Sequence, residues 1–344
     1  MWGFLALLTD ATGAMPPFQT AAISFAVGTL VGLLWHASRR GRQRLWPADG
    51  QWLAYGLGSI GLFGYHALYF AALKAAPAVE ASLIAYLWPL LIVVGSALLP
   101  GERLRWYHMA GALLGFIGAA LIVTRGTSLA VNPEFAGGYA LAVAAAFTWA
   151  SYSLVARRFA AVPSSAVIVF CAVAALLSTL GWWLLERETA VWPLDATQWL
   201  AVIGLGLLPV GAAFYVWDYG VKHGDIQLVG TSSYAAPLLS TLILIAAGRA
   251  EAGWAVLVAC VLITAGALLA ALPERAIQLA ADVTFSAHAL AEQPPFCAQP
   301  LRDGELRLRL VELLAQREVL LEARDRHAGH RGFLQQGGQF TVEA

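Results

Sequence analysis

Residues 64–91 read GYHALYFAALKAAPAVEASLIAYLWPLL. Two apolar segments meet here at a short turn, Lys74 to Ala78, and each carries groups that a plain membrane-spanning helix does not need. Tyr65, His66 and Tyr69 precede the turn, and Tyr86, Trp88 and Pro89 follow it. An intramembrane histidine costs free energy, and a proline inside a helix leaves a backbone carbonyl without its partner. Aromatic rings with polar handles usually sit at the lipid headgroups, but these run inward from the turn. They read as the lining of a substrate cavity. The competing reading is an interfacial aromatic belt with one hydrogen-bonded core histidine.

The surrounding chain sets that stretch in a membrane. Of its 344 residues 59% are hydrophobic and only 12% charged, with a mean hydropathy of +0.68. A soluble domain carries about 25% charged residues. The net charge of zero gives no sign of a nucleic-acid partner. Cys171, Cys260 and Cys297 are far apart and lack metal-ligand spacing, so neither a disulfide framework nor a metal or cofactor site is expected.

Apolar runs occur near residues 1–11, 17–37, 51–73, 79–99, 105–124, 137–157, 164–185, 197–220, 226–247 and 252–272. Most have the length of about 20 residues that crosses a bilayer as a helix, whereas a spanning strand needs about 10 and alternates. The expected fold is an all-α membrane protein of ten transmembrane helices.

Two halves of the chain match at an offset of 148: Lys74 with Lys222, Tyr86 with Tyr234, Pro89 with Pro237, and Trp106 with Trp254. At 147, Trp2 matches Trp149 and Pro16 matches Pro163. The expected organisation is a first five-helix repeat over 1–124, a second over 137–272, and a polar extension over 273–344. By the same alignment helix 1 is expected to lack about ten residues at its start. Basic loop residues set the orientation. Arg39, Arg40, Arg42, Arg44, Arg103, Arg105, Arg157, Arg158, Lys222 and Arg275 fall on one side, against Lys74, Arg125, Arg187 and Arg249 on the other. Both termini are therefore expected in the cytoplasm. An odd number of helices per repeat inverts the second repeat relative to the first, which is a transporter architecture. The extension reads as a soluble cytoplasmic segment, helical in part (residues 305–326) or disordered.

Gly56, Gly58 and Gly61 form GxGxxG, but inside an apolar helix rather than between a strand and a helix, so they read as a packing surface. Gly111, Gly115 and Gly118 read the same way. Tyr65, His66 and Tyr69 project toward one side of helix 3. Trp217 matches Tyr69 in the second repeat, and Trp149 lies within helix 6. Inward-facing rings from both repeats would stack on a flat substrate and accept a cation on their faces. The candidate substrate-binding set is Tyr65, His66, Tyr69, Tyr86, Trp88, Pro89, Trp149, Trp217 and Tyr234. Pro89 and Pro237 are expected bending points. Asp10, Glu80 and Asp218 lie near predicted helix ends and read as solvated or interfacial carboxylates. Lys74 and Lys222 read as helix-end anchors. With no carboxylate pair expected at mid-membrane, movement down the substrate's own gradient is favoured over proton antiport.

Trp2-Gly3, Pro16-Pro17 and the pattern Pro89…Pro100-Gly101-Glu102-Arg103-Leu104…Gly111…Gly118 resemble the EamA type of the drug/metabolite transporter superfamily. Tyr65-His66-Ala-Leu-Tyr69 with Ala85-Tyr86-Leu-Trp88-Pro89-Leu90 resembles its YddG-type aromatic amino-acid exporters. The resemblance covers 1–272 and implies an inner-membrane carrier with a cavity between two five-helix bundles, exporting aromatic amino acids by alternating access. Other metabolites or drugs are the alternative cargo. An intramembrane enzyme is disfavoured, because no HExxH helix, paired mid-membrane aspartates or serine–histidine arrangement is present. A membrane scaffold acting through the extension is a third reading.

Overall fold

The computed structural model describes residues 1–38, 44–127, 132–251 and 253–272. Arg39, Arg40, Arg42, Arg275, Cys297 and the extension over 273–344 lie outside the described residues. Within them the chain is helical, without a β-strand. A single 3-10 turn, Trp2–Phe4, leads into α1 (Leu5–Ala11), followed by α2 (Pro17–Ser38) and α3 (Trp52–Ala75). Next come α4 (Ala78–Ala85), α5 (Trp88–Gly95), α6 (Trp106–Thr124), α7 (Ala136–Arg158) and α8 (Ala166–Leu185). The last are α9 (Ala196–Leu207), α10 (Ala213–His223), α11 (Ile226–Ser232), α12 (Ala235–Ala246) and α13 (Trp254–Ala270).

Counting the interrupted helices as single rods, eight are long and apolar enough to cross a membrane among the described residues. The two apolar helices Trp2–Ala11 and Trp254–Ala270 are shorter. Large apolar side chains such as Leu98, Leu176, Leu185, Leu257 and Val261 point outward, as they must where lipid replaces water as the solvent. With no hydrophobic drive between helices in lipid, close approach depends on small residues. The contact between α6 and α13 shows this: a Cβ on Gly111 would stand 2.5 Å from the carbonyl oxygen of Gly266. The Gly56-Gly58-Gly61 series also serves packing, since Gly58 lies against Phe170 of α8 and Gly61 against Tyr152 of α7, while Gly56 faces open space.

Three rods are interrupted. The Ala78–Leu98 rod breaks at Tyr86 and Leu87, and the Ile226–Ala246 rod at Ser233 and Tyr234. Neither break is a proline kink inside a continuous helix, as the sequence suggested. Pro89 is the second residue of α5 and Pro237 the third of α12, positions where the missing N–H has no intrahelical partner to lose. The third interruption is a π-helical turn, Leu208–Ala212, between α9 and α10. It contains Pro209, and such turns are frequent at functional sites.

Candidate functional site

Four tryptophans meet within the main packed cluster of the helices. Trp2 comes from the first turn of the chain, Trp88 from the start of α5, Trp149 from α7 and Trp217 from α10. Every pair among them is in contact, with ring centroids 5.1 to 6.1 Å apart and mostly edge-to-face or tilted. This is the separation and attitude that ring quadrupoles favour. Trp88, Trp149 and Trp217 are buried.

Local chemistry sets each ring. The break at Tyr86 and Leu87 separates α4 from α5, and Trp88 opens α5 as a buried residue. Trp2 donates its indole N–H to the carbonyl of Pro209 at 3.0 Å, so the π-helical turn holds the first turn of the chain. Trp217 donates to Ser153 Oγ at 3.1 Å, and Ser153 in turn donates to the carbonyl of Trp149 at 2.9 Å.

The α3 residues flank this cluster. Tyr65 lies 5.1 Å from Trp149 and stacks parallel to Tyr69 at 6.0 Å. His66 meets Tyr65 edge-on at 5.1 Å, Phe25 at 5.0 Å and Phe214 at 5.8 Å. Its Nδ1 is 2.8 Å from the carbonyl of Leu62. A carbonyl only accepts, so Nδ1 is the donor in this contact. Tyr69 shares a hydrogen bond with Ser82 at 2.8 Å, and Tyr86 lies within electrostatic reach of Tyr65 and Tyr69.

Of the candidate set, the structure brings together Tyr65, His66, Tyr69, Trp88, Trp149 and Trp217. Pro89 is buried next to Trp88. Tyr234 is elsewhere. It is fully buried in a separate cluster with Leu238, Ala259 and Ile263, and its phenol accepts the N–H of Leu90 at 3.1 Å. That N–H belongs to the first turn of α5, which has no intrahelical acceptor for it. In this conformation Tyr234 caps a helix.

Sequence reasoning missed Trp2, Phe25, Phe214 and Tyr152. The signal for two of them was present in the repeat. Trp2 matches Trp149 at the offset of 147, and Phe214 matches His66 at 148; both matched pairs are in contact.

A second correction concerns charge. Asp218 and Lys222 are not an interfacial carboxylate and a helix-end anchor. Their side chains are 0% and 3% exposed, and Lys222 Nζ stands 2.7 Å from Asp218 Oδ2. Lys222 also donates to the carbonyl of Val162 at 2.9 Å. Next to them Arg157 pairs with Glu102 at 2.5 Å and donates to the carbonyl of Lys222 at 2.6 Å. A second charged group holds Lys74 against the buried Glu186 at 3.0 Å, and Glu186 accepts the N–H of Phe18 at 2.9 Å. Asp10 remains exposed, paired with Arg249 at 3.3 Å. Glu80 accepts from the phenol of Tyr139.

Comparison with known proteins places this architecture. The profile of the EamA-like transporter family matches residues 1–124 and again 136–272. A protein of Ancylobacter novellus named aromatic amino acid exporter YddG is 48% identical over 280 residues, covering 80% of this chain and 94% of that one. The Salmonella typhimurium protein of the same name is 26% identical over 172 residues, 48% of this chain and 57% of its own. The biotin transporter of Escherichia coli is 26% identical over 178 residues, 51% and 58% of the two chains. One solved crystal structure is 48% identical, with a TM-score of 0.73 over 78% of this chain and 93% of that one. A multi-pass helical membrane protein whose sequence carries the family pattern twice, this chain belongs to the EamA-like transporter family.

Proposed function

We propose that the protein exports aromatic amino acids across the bacterial inner membrane by alternating access, with the tryptophan cage and its α3 flank as the substrate site. The observation that carries this reading is the mutual contact of Trp2, Trp88, Trp149 and Trp217. In this conformation the rings satisfy one another, and when the helices part an indole or phenyl side chain can replace those edge and face contacts with its own. The name of the Ancylobacter novellus relative, which aligns over nearly its whole length, agrees with that chemistry.

Ten spans in two inverted repeats supply the two exchangeable states. Support comes from the paired residues at the 147 and 148 offsets, from breaks at matching positions in the rods ending at Leu98 and Ala246, and from Trp2–Ala11 and Trp254–Ala270 as the two further apolar helices. The basic loop residues put both termini in the cytoplasm. The boundaries are 1–124 and 137–272, with 273–344 as a cytoplasmic extension.

His66→Ala is expected to impair export while insertion into the membrane is unchanged. Counterflow of labelled tryptophan and phenylalanine into proteoliposomes, at equal protein incorporation, checks this; undiminished exchange removes His66 from the site. A second reading, another small metabolite as cargo, is favoured by the similarity to a biotin transporter. It predicts that tryptophan neither exchanges nor competes.

A further inference from the structure

Some polar handles of the cage already have protein partners. His66 Nδ1, Tyr69 OH and the indole N–H groups of Trp2 and Trp217 all have partners. Among the described residues, the buried polar atoms without a hydrogen-bond partner include three in and beside the cage: Trp149 Nε1, Tyr152 OH and Asp218 Oδ1. Their residues are 2%, 3% and 0% exposed. Buried polar groups are nearly always hydrogen-bonded, so each unpaired one asks for an explanation.

These three follow one another outward from the cage. Tyr152 packs against Trp149 at 5.2 Å, one turn along α7, and Asp218 directly follows Trp217 on α10. Tyr152, Asp218 and Lys222 line one small cavity of about 10 Å³, otherwise walled by apolar groups of α3, α7, α8 and the turn between the last two. That is room for about one water.

A purely structural account explains Lys222, which ties α10 to the carbonyl of Val162. For Asp218 it explains one oxygen only, the Oδ2 that supplies the counter-charge a buried ammonium needs. The only protein partner of Asp218 among the described residues is Lys222 on its own helix, so it joins no two elements, and its second oxygen is unpaired.

We infer that Asp218 and Lys222, with Tyr152, form the subsite for the zwitterionic head group of the substrate; this rests on the amino-acid export reading above. A free α-amino acid carries an ammonium and a carboxylate on one carbon. When the helices part, its ammonium takes Asp218 and its carboxylate takes Lys222, while its ring stays in the cage next to Trp217. The exchange is charge-balanced: both protein charges and both substrate charges remain paired. A molecule with only one of the two groups strands either Asp218 or Lys222 in apolar surroundings, which is the costly way to break a buried pair. The subsite therefore selects zwitterions over amines and over acids bearing the same ring.

The test is competition against labelled tryptophan counterflow in proteoliposomes of the full chain, with tryptophan, tryptamine and indole-3-propionate as competitors at neutral pH. Wild type should be inhibited about tenfold or more better by tryptophan than by either analogue. Asp218→Asn leaves the Lys222 charge alone and should shift preference toward indole-3-propionate relative to tryptamine. Lys222→Gln should shift it toward tryptamine. The opposite signs are the signature, since a lost strut moves both analogues together. The double variant Asp218→Asn with Lys222→Gln leaves no charge stranded and guards against misfolding. It should exchange substrate but no longer favour tryptophan over the analogues. Tryptophan counterflow in which both single variants keep the wild-type analogue ratio, or in which the double variant keeps its zwitterion preference, overturns the subsite alone. Wild type without any aromatic counterflow overturns the export reading and the subsite with it.

Discussion

In the rod from Ala78 to Leu98 the chain leaves the helix at Tyr86 and Leu87 and resumes it at Trp88; in the rod from Ile226 to Ala246 it leaves at Ser233 and Tyr234 and resumes at Ala235. The breaks coincide to within one residue under the 148 offset, and each is followed by a proline in the first turn of the next helix. Their surroundings differ. After the first break Trp88 enters the cage; its counterpart in the second is Ala236. At the first break Tyr86 stands near Tyr65 and Tyr69, whereas at the second Tyr234 is sealed in its own cluster, holding the N–H of Leu90. One break presents a ring to the site, and the other braces the helix that presents it. Matching backbone has been kept while the side chains on it have taken separate tasks.

The sharpest way to break that comparison is to remove the presented ring. Trp88→Ala takes away contacts to three other indoles, each worth about 0.5–1.5 kcal/mol beyond area burial. Aromatic amino-acid counterflow should fall by about tenfold or more, the equivalent of about 1.4 kcal/mol in the exchanging complex. Trp88→Phe should restore part of it.

A smaller effect separates the two tyrosines. Tyr234→Phe deletes only the acceptor for Leu90 and should destabilise the protein by about 1 kcal/mol, seen as a lower Tm in detergent with the KM of counterflow unchanged. Tyr86→Phe should do the reverse, leaving Tm in place and raising KM by about fivefold, the size of one hydrogen bond. Equal behaviour of the two variants would erase the distinction between presenting and bracing.

The smallest effects belong to the prolines. An interior helix proline is worth about 3 kcal/mol or more, but Pro89 and Pro237 occupy first turns. Pro89→Ala and Pro237→Ala should each change stability by less than about 1 kcal/mol, and thermal unfolding should show both near wild type. A large gain in either would mean that the proline itself distorts the rod.

The all-helical membrane class was legible from Tyr65 to Leu91 outward, because length and apolarity alone decide it. The inward rings Tyr65, His66, Trp88, Trp149 and Trp217 were legible as polar-handled aromatics in the wrong solvent. What escaped has physical reasons. Tyr234 matches Tyr86 under the 148 offset, but an equivalent position in a repeat leaves the surroundings of the side chain open, and here they are a separate apolar cluster. Phe25 looks like any lipid-facing phenylalanine until its neighbours are known, whereas Phe214 had its match to His66 as a trace. The π-helical turn at Leu208–Ala212 left only Pro209 as a trace, and its binding of Trp2 joins residues far apart in the chain. Asp218 and Lys222 were misread from nearness to a helix end. Their i, i+4 spacing, acid first, was the available sign that they satisfy each other.

Counterflow of labelled tryptophan into proteoliposomes, wild type beside Trp88→Ala at equal incorporation, tests the central claim most directly. Wild type should exchange tryptophan and phenylalanine, and the variant should lose most of that exchange while remaining folded by size-exclusion chromatography. Absence of aromatic exchange in wild type, or undiminished exchange in Trp88→Ala, would contradict the assignment of the tryptophan cage as the site of transport.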